Sequence, residues 1–332
     1  MKLKTSALLV ACAILPQFAF AWGDLGHQAV GEIAERNLTP KAKAMVVSIL
    51  GAEPLAVSAT FPDHVRSDKR FKELDAYHFC EIPEGVESYD HKAPHQVIKR
   101  DANAFITQIP ALLIDPNLEV HKKMVLLRYL THVVGDVHMP LHVGNGLDVG
   151  GNSCVVNWIT PGTGAVEKTN LHTLWDERLF DVMKERARIL NEQQRIPAKR
   201  YFGYQEIVKT VLEDTQLSSE ETDAVLSKTP TEWYKESQAL HPLVYADKAP
   251  GTLARDRRFC DFRGGNFDPA AVPTFGDEYA QKVLPTLKKQ VLVGGLRLAK
   301  LINDAAVNFP VASMPRENDG QLIKAVLLEN IK

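Results

Sequence analysis

Two His-x-x-x-Asp pairs carry most of the chemistry that this sequence offers. In His132–Asp136 and His172–Asp176 the partners lie four residues apart, so on a helix both side chains lie on the same face. Neutral imidazole and carboxylate groups bind zinc well, and one helix can present both to a single ion or to neighbouring ions. The two pairs therefore predict a metal centre.

Other residues supply groups of the same kind. His142 follows Asp136 by six residues, just after Pro140, where the chain has left the helix and can turn back. If the chain is cleaved before Trp22, the new amino terminus and the carbonyl of that residue can also bind a metal. Counted as one group, this terminus brings the candidate ligands to nine: Trp22, His27, Asp63, His78, His132, Asp136, His142, His172 and Asp176. Three ions sharing these groups through one bridging ligand would keep positions open for water or substrate, which is typical of a catalytic site.

Each of these residues alone also has a purely structural interpretation. A single His-x-x-x-Asp pair arises often by chance, and Asp63 fits a turn after Pro62. His78 fits a half-buried polar position in a strand, and Trp22 an apolar position at the start of a helix. The complete set in this order, behind an export signal, favours the metal centre.

Trp22 can act through its amine only if the preceding residues are removed. Lys2 and Lys4 precede an apolar stretch over 7–20, and Ala19-Phe20-Ala21 fits a signal-peptidase site. We therefore expect residues 1–21 to be a cleaved signal peptide and 22–332 to be a secreted chain, periplasmic or extracellular.

A lipoprotein signal ending at Cys12 is the alternative, but too few apolar residues precede that cysteine. The apolar stretch is also too short for a membrane span and is broken by Pro16. No later segment is apolar for long enough to span a bilayer, so no membrane anchor is expected.

The elements that must position the ligands are mostly helices. Apolar spacing predicts two helices within 26–50 that meet at Thr39-Pro40, and it predicts further helices over 96–113, 118–137, 171–179, 181–195, 204–214, 219–227, 231–240 and 278–303. Residues 154–159 indicate a short strand, and 160–164 the turn of a small hairpin. The predicted fold class is mainly α, in a single domain with a minor β-hairpin.

Composition restricts how this chain could bind a phosphate. Removal of Lys2 and Lys4 leaves 37 basic against 41 acidic residues, a net charge of −4. This balance argues against a basic nucleic-acid groove, but a phosphate site built from metal ions stays open. Cys80, Cys154 and Cys260 allow one disulfide of open pairing, and Asn37 begins a possible glycosylation sequon.

The ligands stand in motifs that resemble the S1/P1 nuclease family, secreted zinc-dependent nucleases specific for single strands that also act as 3′-nucleotidases. The matching motifs are W-G-x-x-G-H from Trp22, D-x-x-R from Asp63 to Arg66, Y-H-F around His78, T-H-x-x-G-D-x-H-x-P-L-H from Thr131 to His142, Gly150-Gly151-Asn152, N-L-H-x-x-W-D from Asn170 to Asp176 and, more weakly, G-x-R-L-A from Gly295 to Ala299. Residues 181–275 carry no matching motif. The resemblance implies a helical fold of the zinc phospholipase C and nuclease type.

The resemblance also implies how three Zn²⁺ ions are held. The first would take Asp63, His78, His132 and a bridging Asp136. The second would take the amine and carbonyl of Trp22 together with His27 and Asp136. The third would take His142, His172 and Asp176. Such a site is strongly cationic inside an acidic protein, so the metals rather than a basic surface would attract the phosphate.

The activity implied by the resemblance is hydrolysis of single-stranded DNA and RNA to 5′-phosphate products, and of 3′-nucleotides. A hydroxide between the two ions linked by Asp136 would attack phosphorus, Asp63 would orient it or take its proton, and the third zinc would stabilise the departing 3′-oxyanion. Arg66 would hold the phosphate. Phe79 would stack on a base, with Glu81 and Asn152 beside it. A monomer is expected.

Some histidines and a tryptophan fall outside the predicted ligand set. His138, His64 and Trp175 are assigned to the surroundings of the site or to the core. Four other histidines are interpreted as incidental: His91, His95, His121 and His241.

Two other function classes stay open at this point. The zinc-dependent phospholipases C share the three-zinc arrangement and the Trp terminus, but their first His lies farther from the terminus and their last ligand pair ends in Glu. The short step from Trp22 to His27 and the His172/Asp176 pair favour the nuclease. A secreted zinc-binding protein without catalysis would instead have saturated tetrahedral sites.

Overall fold

A computed structural model describes residues 22–83, 85–86, 89, 101–193, 203–246, 257–261 and 267–309. Within these residues the structure is mostly helical with few strands, which confirms the predicted fold class. The predicted signal peptide, His91, His95 and the outer ends of the helices predicted over 96–113 and 181–195 lie outside the described residues.

The α-helices of the described residues follow one another along the whole chain. They are α1 (Asp24–Arg36), α2 (Pro40–Leu50), α3 (Leu55–Ser58), α4 (Phe61–His64), α5 (Ala102–Ile114), α6 (Val120–His138), α7 (Leu171–Thr173), α8 (Leu179–Gln193), α9 (Tyr204–Asp214), α10 (Ser219–Leu226), α11 (Pro230–Ala239), α12 (His241–Val244) and α13 (Asp277–Val307). The 3₁₀ segments are Lys69–His78, Pro140–His142 and Pro269–Ala271, and Leu174–Arg178 is a π-helical segment.

The break between the first two helices lies where the sequence predicts it. The side chain of Thr39 accepts a hydrogen bond from the backbone N–H of Ala42, and Pro40 occupies the first helical position. Both features are typical of a helix N-terminus, where the first backbone donors have no partner inside the helix.

Helix α6 forms the centre of the core. Its residues from Leu127 to His138 are almost all buried, and the helix packs against α1, α5 and α13. Because a helix surrounded on all sides must be apolar wherever it has no specific partner, the polar residues on its buried part require an explanation. They are Thr131, His132, Asp136 and His138.

Residues 171–193 correct the prediction of two separate helices. Instead α7, the π-helical segment and α8 follow one another without interruption. This stretch contains neither Gly nor Pro, and Leu179 and Phe180, at the predicted break, are buried. The chain therefore gains more from continuing its apolar face than from ending the helix.

Two small sheets complete the structure. Strands β3 (Val155–Ile159) and β4 (Val166–Asn170) form the predicted antiparallel hairpin, and β5 (Thr274–Phe275) pairs in parallel with β3. Strands β1 (Cys80–Glu81) and β2 (Val143–Gly144) pair in parallel and were not predicted. This pair of strands brings the residues that follow His78 beside those that follow His142.

A disulfide joins Cys154 to Cys260, and Cys80 is a buried free thiol. Among the described helices, none is by itself long and apolar enough to cross a membrane, although the bent pair formed by Pro40–Leu50 and Leu55–His64 would meet the length and composition test together.

Candidate metal centre

Three clusters of His and Asp side chains bring together ligand atoms that all lie within 4.8 Å of one another. Group A is Asp63, His78 and His132; group B is His27, His132 and Asp136; group C is His142, His172 and Asp176. All eight side chains predicted as ligands fall into these groups, and all are buried.

Asp136 lies between groups A and B. Its Oδ2 is 3.2 Å from Nε2 of His132 and 3.3 Å from Nδ1 of His78, whereas its Oδ1 is 3.3 Å from Nε2 of His27. Oδ2 thus faces the two imidazoles of group A, whereas Oδ1 faces His27, the imidazole that belongs to group B alone. This arrangement is the one that a bridging ligand requires.

Helix α6 contributes two of the predicted ligands to one face because His132 and Asp136 are one helical turn apart. The His132 ring is fixed at its other nitrogen, since Nδ1 donates a hydrogen bond to the carbonyl oxygen of Ala59 at 2.7 Å. That bond assigns the proton to Nδ1 and leaves the lone pair of Nε2 facing Asp63 and Asp136, as in metal-binding histidines generally.

His27 reaches the centre from α1 by close packing on α6. Its ring stacks on that of His132 with centroids 3.7 Å apart and planes inclined by 14°. Gly135 makes this approach possible, because a Cβ at that position would lie 2.9 Å from Nδ1 of His27. A side chain on α6 at this point would displace the imidazole.

The remaining ligands of group A come from the short segments after α2. Asp63 lies in the single turn of α4, where Pro62 precedes it, and His78 ends the 3₁₀ segment Lys69–His78. His78 therefore does not lie in a strand. Its Nδ1 is 2.9 Å from Nε2 of His132 and 3.7 Å from Oδ1 of Asp63.

Group C is held by hydrogen bonds from imidazole to backbone. Nδ1 of His142 donates to the carbonyl oxygen of His78 at 2.7 Å, and Nδ1 of His172 donates to that of Gly150 at 2.6 Å. Nε2 of His172 then lies 2.9 Å from Oδ2 of Asp176, in the π-helical segment. Segments of this kind are frequent at functional sites because they re-aim side chains within a helix.

Most of the atoms that point into the clusters lack hydrogen-bond partners, except for the facing nitrogens of His132 and His78. Among the described residues, buried atoms without one include Oδ1 of Asp63, Nε2 of His27 and of His142, and both carboxylate oxygens of Asp136 and of Asp176. Buried polar atoms are almost always paired, and an unpaired buried carboxylate is costly. A set of imidazole nitrogens and carboxylate oxygens that converge without partners fits divalent zinc.

The electrostatics agree with this fit. Burial raises the pKa of Asp63 to about 7 and that of Asp176 to about 6, and it raises the pKa of Asp136 well above its usual value. Burial also lowers the pKa of His27, His78 and His142 well below the usual value, which keeps these imidazoles neutral. Neutral imidazoles are competent ligands, and a cation would offset the cost of ionising the carboxylates.

Trp22 begins the described part of the chain beside group C. Its side chain is fully buried and packs edge-on against Phe180, with ring centroids 5.2 Å apart. The next residue, Gly23, donates its backbone N–H to the carbonyl oxygen of Asp176 at 2.8 Å. The first residues of the predicted mature chain are thus tied to a ligand-bearing segment, while chelation by the Trp22 amine stays a prediction.

The other predicted site residues differ in how directly they are connected to the clusters. Nη1 of Arg66 is 3.7 Å from Oδ1 of Asp63, and Nε of Arg66 is 3.9 Å from Asp75. Phe79 is half-buried and follows His78 directly, and Glu81 is half-buried in β1. The Asn152 side chain donates to the carbonyl oxygen of Val149 at 2.8 Å. Arg66 thus lies beside a predicted ligand, Phe79 and Glu81 follow His78 along the chain, and Asn152 lies in the same loop as Gly150.

One assignment is wrong and others hold. His64 is 58 % exposed and pairs with Asp24 at the surface, because the single turn of α4 that buries Asp63 directs the next side chain outward. His138 and Trp175 are buried as predicted, and His121 is exposed. His241, interpreted as incidental, is buried, and its Nε2 lies 3.0 Å from the carbonyl oxygen of Pro140, so it supports the turn before His142.

Residues that support the ligands from behind were missed by sequence reasoning. Arg297 of α13 is buried and bonds Nε2 of His138, on the same helix as His132 and Asp136, at 3.0 Å. Nη2 of the same guanidinium group donates to a carboxylate oxygen of Glu236 at 2.6 Å. The G-x-R-L-A motif was the available signal, but its partner in α11 could not be identified from the sequence.

Comparison with known proteins gives one consistent result. A family model described as S1/P1 Nuclease matches residues 22–307. The chain is 26% identical over 312 residues to Endonuclease 3 of Arabidopsis thaliana, covering 89% of this chain and 93% of that protein. It is 30% identical over 178 residues to Nuclease S1 of Aspergillus oryzae, covering 51% of this chain and 58% of that protein, and 24% identical over 301 residues to Nuclease P1 of Penicillium citrinum, covering 85% and 97%.

Proposed function

Because this chain belongs to the S1/P1 nuclease family, whose substrates are nucleic acids, we propose that it is a zinc-dependent phosphodiesterase. It would hydrolyse single-stranded DNA and RNA to 5′-phosphate products and would also act as a 3′-nucleotidase. The observation that carries the proposal is the convergence of buried, unpartnered imidazole nitrogens and carboxylate oxygens in three adjoining groups.

Three zinc ions account for the ligands with none left over. Group A with Asp136 would hold the first ion, and His27, Asp136 and the backbone terminus of Trp22 the second. Group C would hold the third. The separate orientation of the two Asp136 oxygens supports its bridging role, since Oδ2 faces the two imidazoles of group A and Oδ1 faces His27.

When bound, zinc supplies a water of lowered pKa and stabilises the charge on the departing 3′-oxygen. The chain's own residues would orient the attacking water, accept its proton and bind the phosphate. Oδ1 of Asp63 faces the imidazoles of His78 and His132 and would bind the first ion, so its other carboxylate oxygen would orient the attacking water and accept its proton. Arg66, whose Nη1 lies 3.7 Å from Oδ1 of Asp63, would bind a non-bridging phosphate oxygen through a charge-assisted bond.

Preference for single strands would come from a base held beside the metals. Phe79 is adjacent to His78 and only partly buried, so part of this residue is accessible to a base. Aromatic stacking tolerates every base, but it requires a base that is free of its duplex neighbours. Glu81 and Asn152 would line the same pocket.

The proposal includes how the chain is processed. Removal of residues 1–21 would give a secreted, monomeric protein, periplasmic or extracellular, whose single domain begins at Trp22. The tie between Gly23 and Asp176 supports this, because it already holds the future terminus beside the ligands.

The proposed function is tested by removing and restoring the metal and by comparing nucleic-acid and phospholipid substrates. The purified chain would be treated with EDTA, then reloaded with Zn²⁺, and assayed at each stage on single-stranded DNA, RNA, a 3′-nucleotide and phosphatidylcholine. We expect nucleic-acid hydrolysis to vanish with EDTA and to return with zinc. Chelator-resistant hydrolysis would overturn the zinc dependence, and hydrolysis of phosphatidylcholine alone would indicate a phospholipase C.

A further inference from the structure

We propose that Asp148 is a positioning residue for the third zinc site, because it fixes the backbone carbonyl that orients His172. The inference rests on the proposed function, since it assumes that His142, His172 and Asp176 hold an ion. Asp148 itself belongs to none of the ligand motifs and lies in the loop between β2 and β3.

Asp148 is a fully buried acid with several donors around it. Its Oδ1 accepts from the backbone N–H of Gly151 at 3.0 Å, and its Oδ2 accepts from the hydroxyl of Tyr245 at 2.6 Å and from Nδ2 of Asn145 at 3.0 Å. A buried carboxylate is tolerated only with such partners, so its position is closely specified.

The decisive contact involves a single peptide unit. The N–H of Gly151 and the carbonyl of Gly150 belong to the same planar amide, and they point in opposite directions. Asp148 binds the N–H end, and Nδ1 of His172 donates to the carbonyl end at 2.6 Å. Rotation of this plane away from Asp148 would therefore remove the acceptor that orients His172.

The loop needs such a restraint because its backbone is unusual. Val149, Gly150 and Gly151 have φ values of 57°, 59° and 79°. Positive φ is strained for a β-branched residue such as Val149 and persists only when neighbouring contacts enforce it. A Cβ at position 150 would also lie 2.5 Å from the carbonyl oxygen of Leu141, so the loop is pressed against the residue before His142.

Loss of the Gly150 acceptor would affect zinc binding through the His172 ring. The bond from Nδ1 assigns the proton to that nitrogen and leaves the Nε2 lone pair beside Asp176. Removing a hydrogen-bond partner of a metal-binding histidine typically weakens metal affinity by about 10–100-fold. The effect should be confined to one ion, because groups A and B share no contact with this peptide unit among those described here.

The test measures zinc binding rather than turnover. Zinc content would be determined by equilibrium dialysis against buffered free Zn²⁺ for the full mature chain, Asp148→Asn and Tyr245→Phe. In Asp148→Asn the single amide oxygen should turn to the two donors of Tyr245 and Asn145, which leaves the amide nitrogen facing the N–H of Gly151 and removes that bond. We therefore expect three ions per wild-type chain, with one of them bound about 10–100-fold more weakly in Asp148→Asn. Tyr245→Phe, which removes one donor to Oδ2, should weaken the same ion by a smaller factor.

A matched control is Glu53→Gln, which removes a partly buried carboxylate bonded to Arg128. It should keep all three affinities. Anomalous scattering at the zinc edge from Asp148→Asn crystals grown at limiting zinc should show the weak ion at His142, His172 and Asp176. Loss from the Asp136 sites instead would overturn the inference.

The outcomes separate the two proposals. Fewer than three ions on the wild-type chain would overturn the proposed function. Three ions with unchanged affinities in Asp148→Asn would overturn only the positioning role. If circular dichroism shows that Asp148→Asn does not fold, Tyr245→Phe decides the question, and unchanged affinity in that variant overturns the inference.

Discussion

His27 and His132 stack face to face with ring centroids 3.7 Å apart, and the contact depends on the missing side chain of Gly135. Gly135→Ala would place a methyl group 2.9 Å from the His27 ring. We expect zinc bound through His27 to be lost and the free energy of unfolding to fall by about 1–3 kcal/mol, despite the better helix propensity of Ala. Calorimetry and zinc analysis would measure both.

The matched control is Gly294→Ala in α13. Its Cβ would lie 3.3 Å from the His138 ring, so that ring would have to move by only a few tenths of an ångström. This variant should keep its full zinc content. Equal zinc loss in both variants would contradict a specific role for Gly135.

Asp136→Asn should impair two ions at once, since Oδ2 faces the two imidazoles of group A and Oδ1 faces His27. We expect hydrolysis to fall by more than about a hundredfold, beyond the loss typical of residues that only support a ligand. Mass spectrometry under native conditions would count the ions that remain. The exposed Asp181→Asn on α8 should match the wild type, and an Asp136→Asn variant with normal zinc content and rate would refute the bridging role.

The ionisation of Asp63 makes a pH-dependent prediction for the metal-free chain. Burial raises the pKa of Asp63 to about 7 from a usual value of 3.8. Stability that the protonated form provides is therefore complete below about pH 4 and is lost as pH rises through 7. Relative to Asp63→Asn, the wild type should lose up to about 4 kcal/mol of unfolding free energy between these limits.

Urea unfolding in EDTA at several pH values would measure this difference. The comparison with Asp63→Asn cancels the opposite contribution of the buried histidines, whose pKa values are lowered by burial. With zinc bound, the unfolding free energy of the wild type relative to Asp63→Asn should instead increase as pH rises, because an ion stabilises the ionised carboxylate. A difference between the two chains that does not vary with pH would show that Asp63 is ionised in the metal-free fold.

Phe79→Ala should weaken substrate binding without removing metal. We expect KM for single-stranded DNA to rise by the equivalent of roughly 1–3 kcal/mol per stacked base. Phe71→Ala, which removes the ring packed edge-on against Phe61, serves as the control and should leave KM unchanged. Zinc loss in Phe79→Ala with unaltered KM would place this ring in the core.

An additional residue ahead of Trp22 should remove the ion shared between His27 and Asp136. A peptide nitrogen cannot replace an amine as a ligand, so the chelate formed by the amine and carbonyl of Trp22 would be broken, and this ion would keep His27, Asp136 and at most the Trp22 carbonyl. A chain produced with one extra Gly before Trp22 would be compared with the authentic terminus for zinc content and rate. Full zinc and full rate in the extended chain would exclude the terminus from the centre.

The features that could be predicted from the sequence are those that depend on neighbouring residues alone. His132 and Asp136 share a face because four residues make about one helical turn, and Thr39-Pro40 ends one helix and begins the next by capping. The hairpin of β3 and β4 follows from alternating burial around a turn. These features require no information about distant parts of the chain.

Features that depend on distant partners could not be predicted. Asp148 becomes a positioning residue only because Tyr245 reaches it, and Arg297 supports α6 only because Glu236 lies alongside. Strands β1 and β2 are two residues long, which is too short for any periodicity. His64 was misassigned because sequence proximity to Asp63 does not specify which side chain a single helical turn buries.

The bond from the Gly23 N–H to the Asp176 carbonyl oxygen means that the start of the proposed mature chain has a fixed place in the fold. If residues 1–21 are removed only during export, an uncleaved precursor would carry an incomplete centre in the compartment where the cell's own RNA is made. Cleavage of the signal peptide would then also activate the enzyme, because the same cut would release the chain and complete its metal centre. No separate inhibitor would be needed.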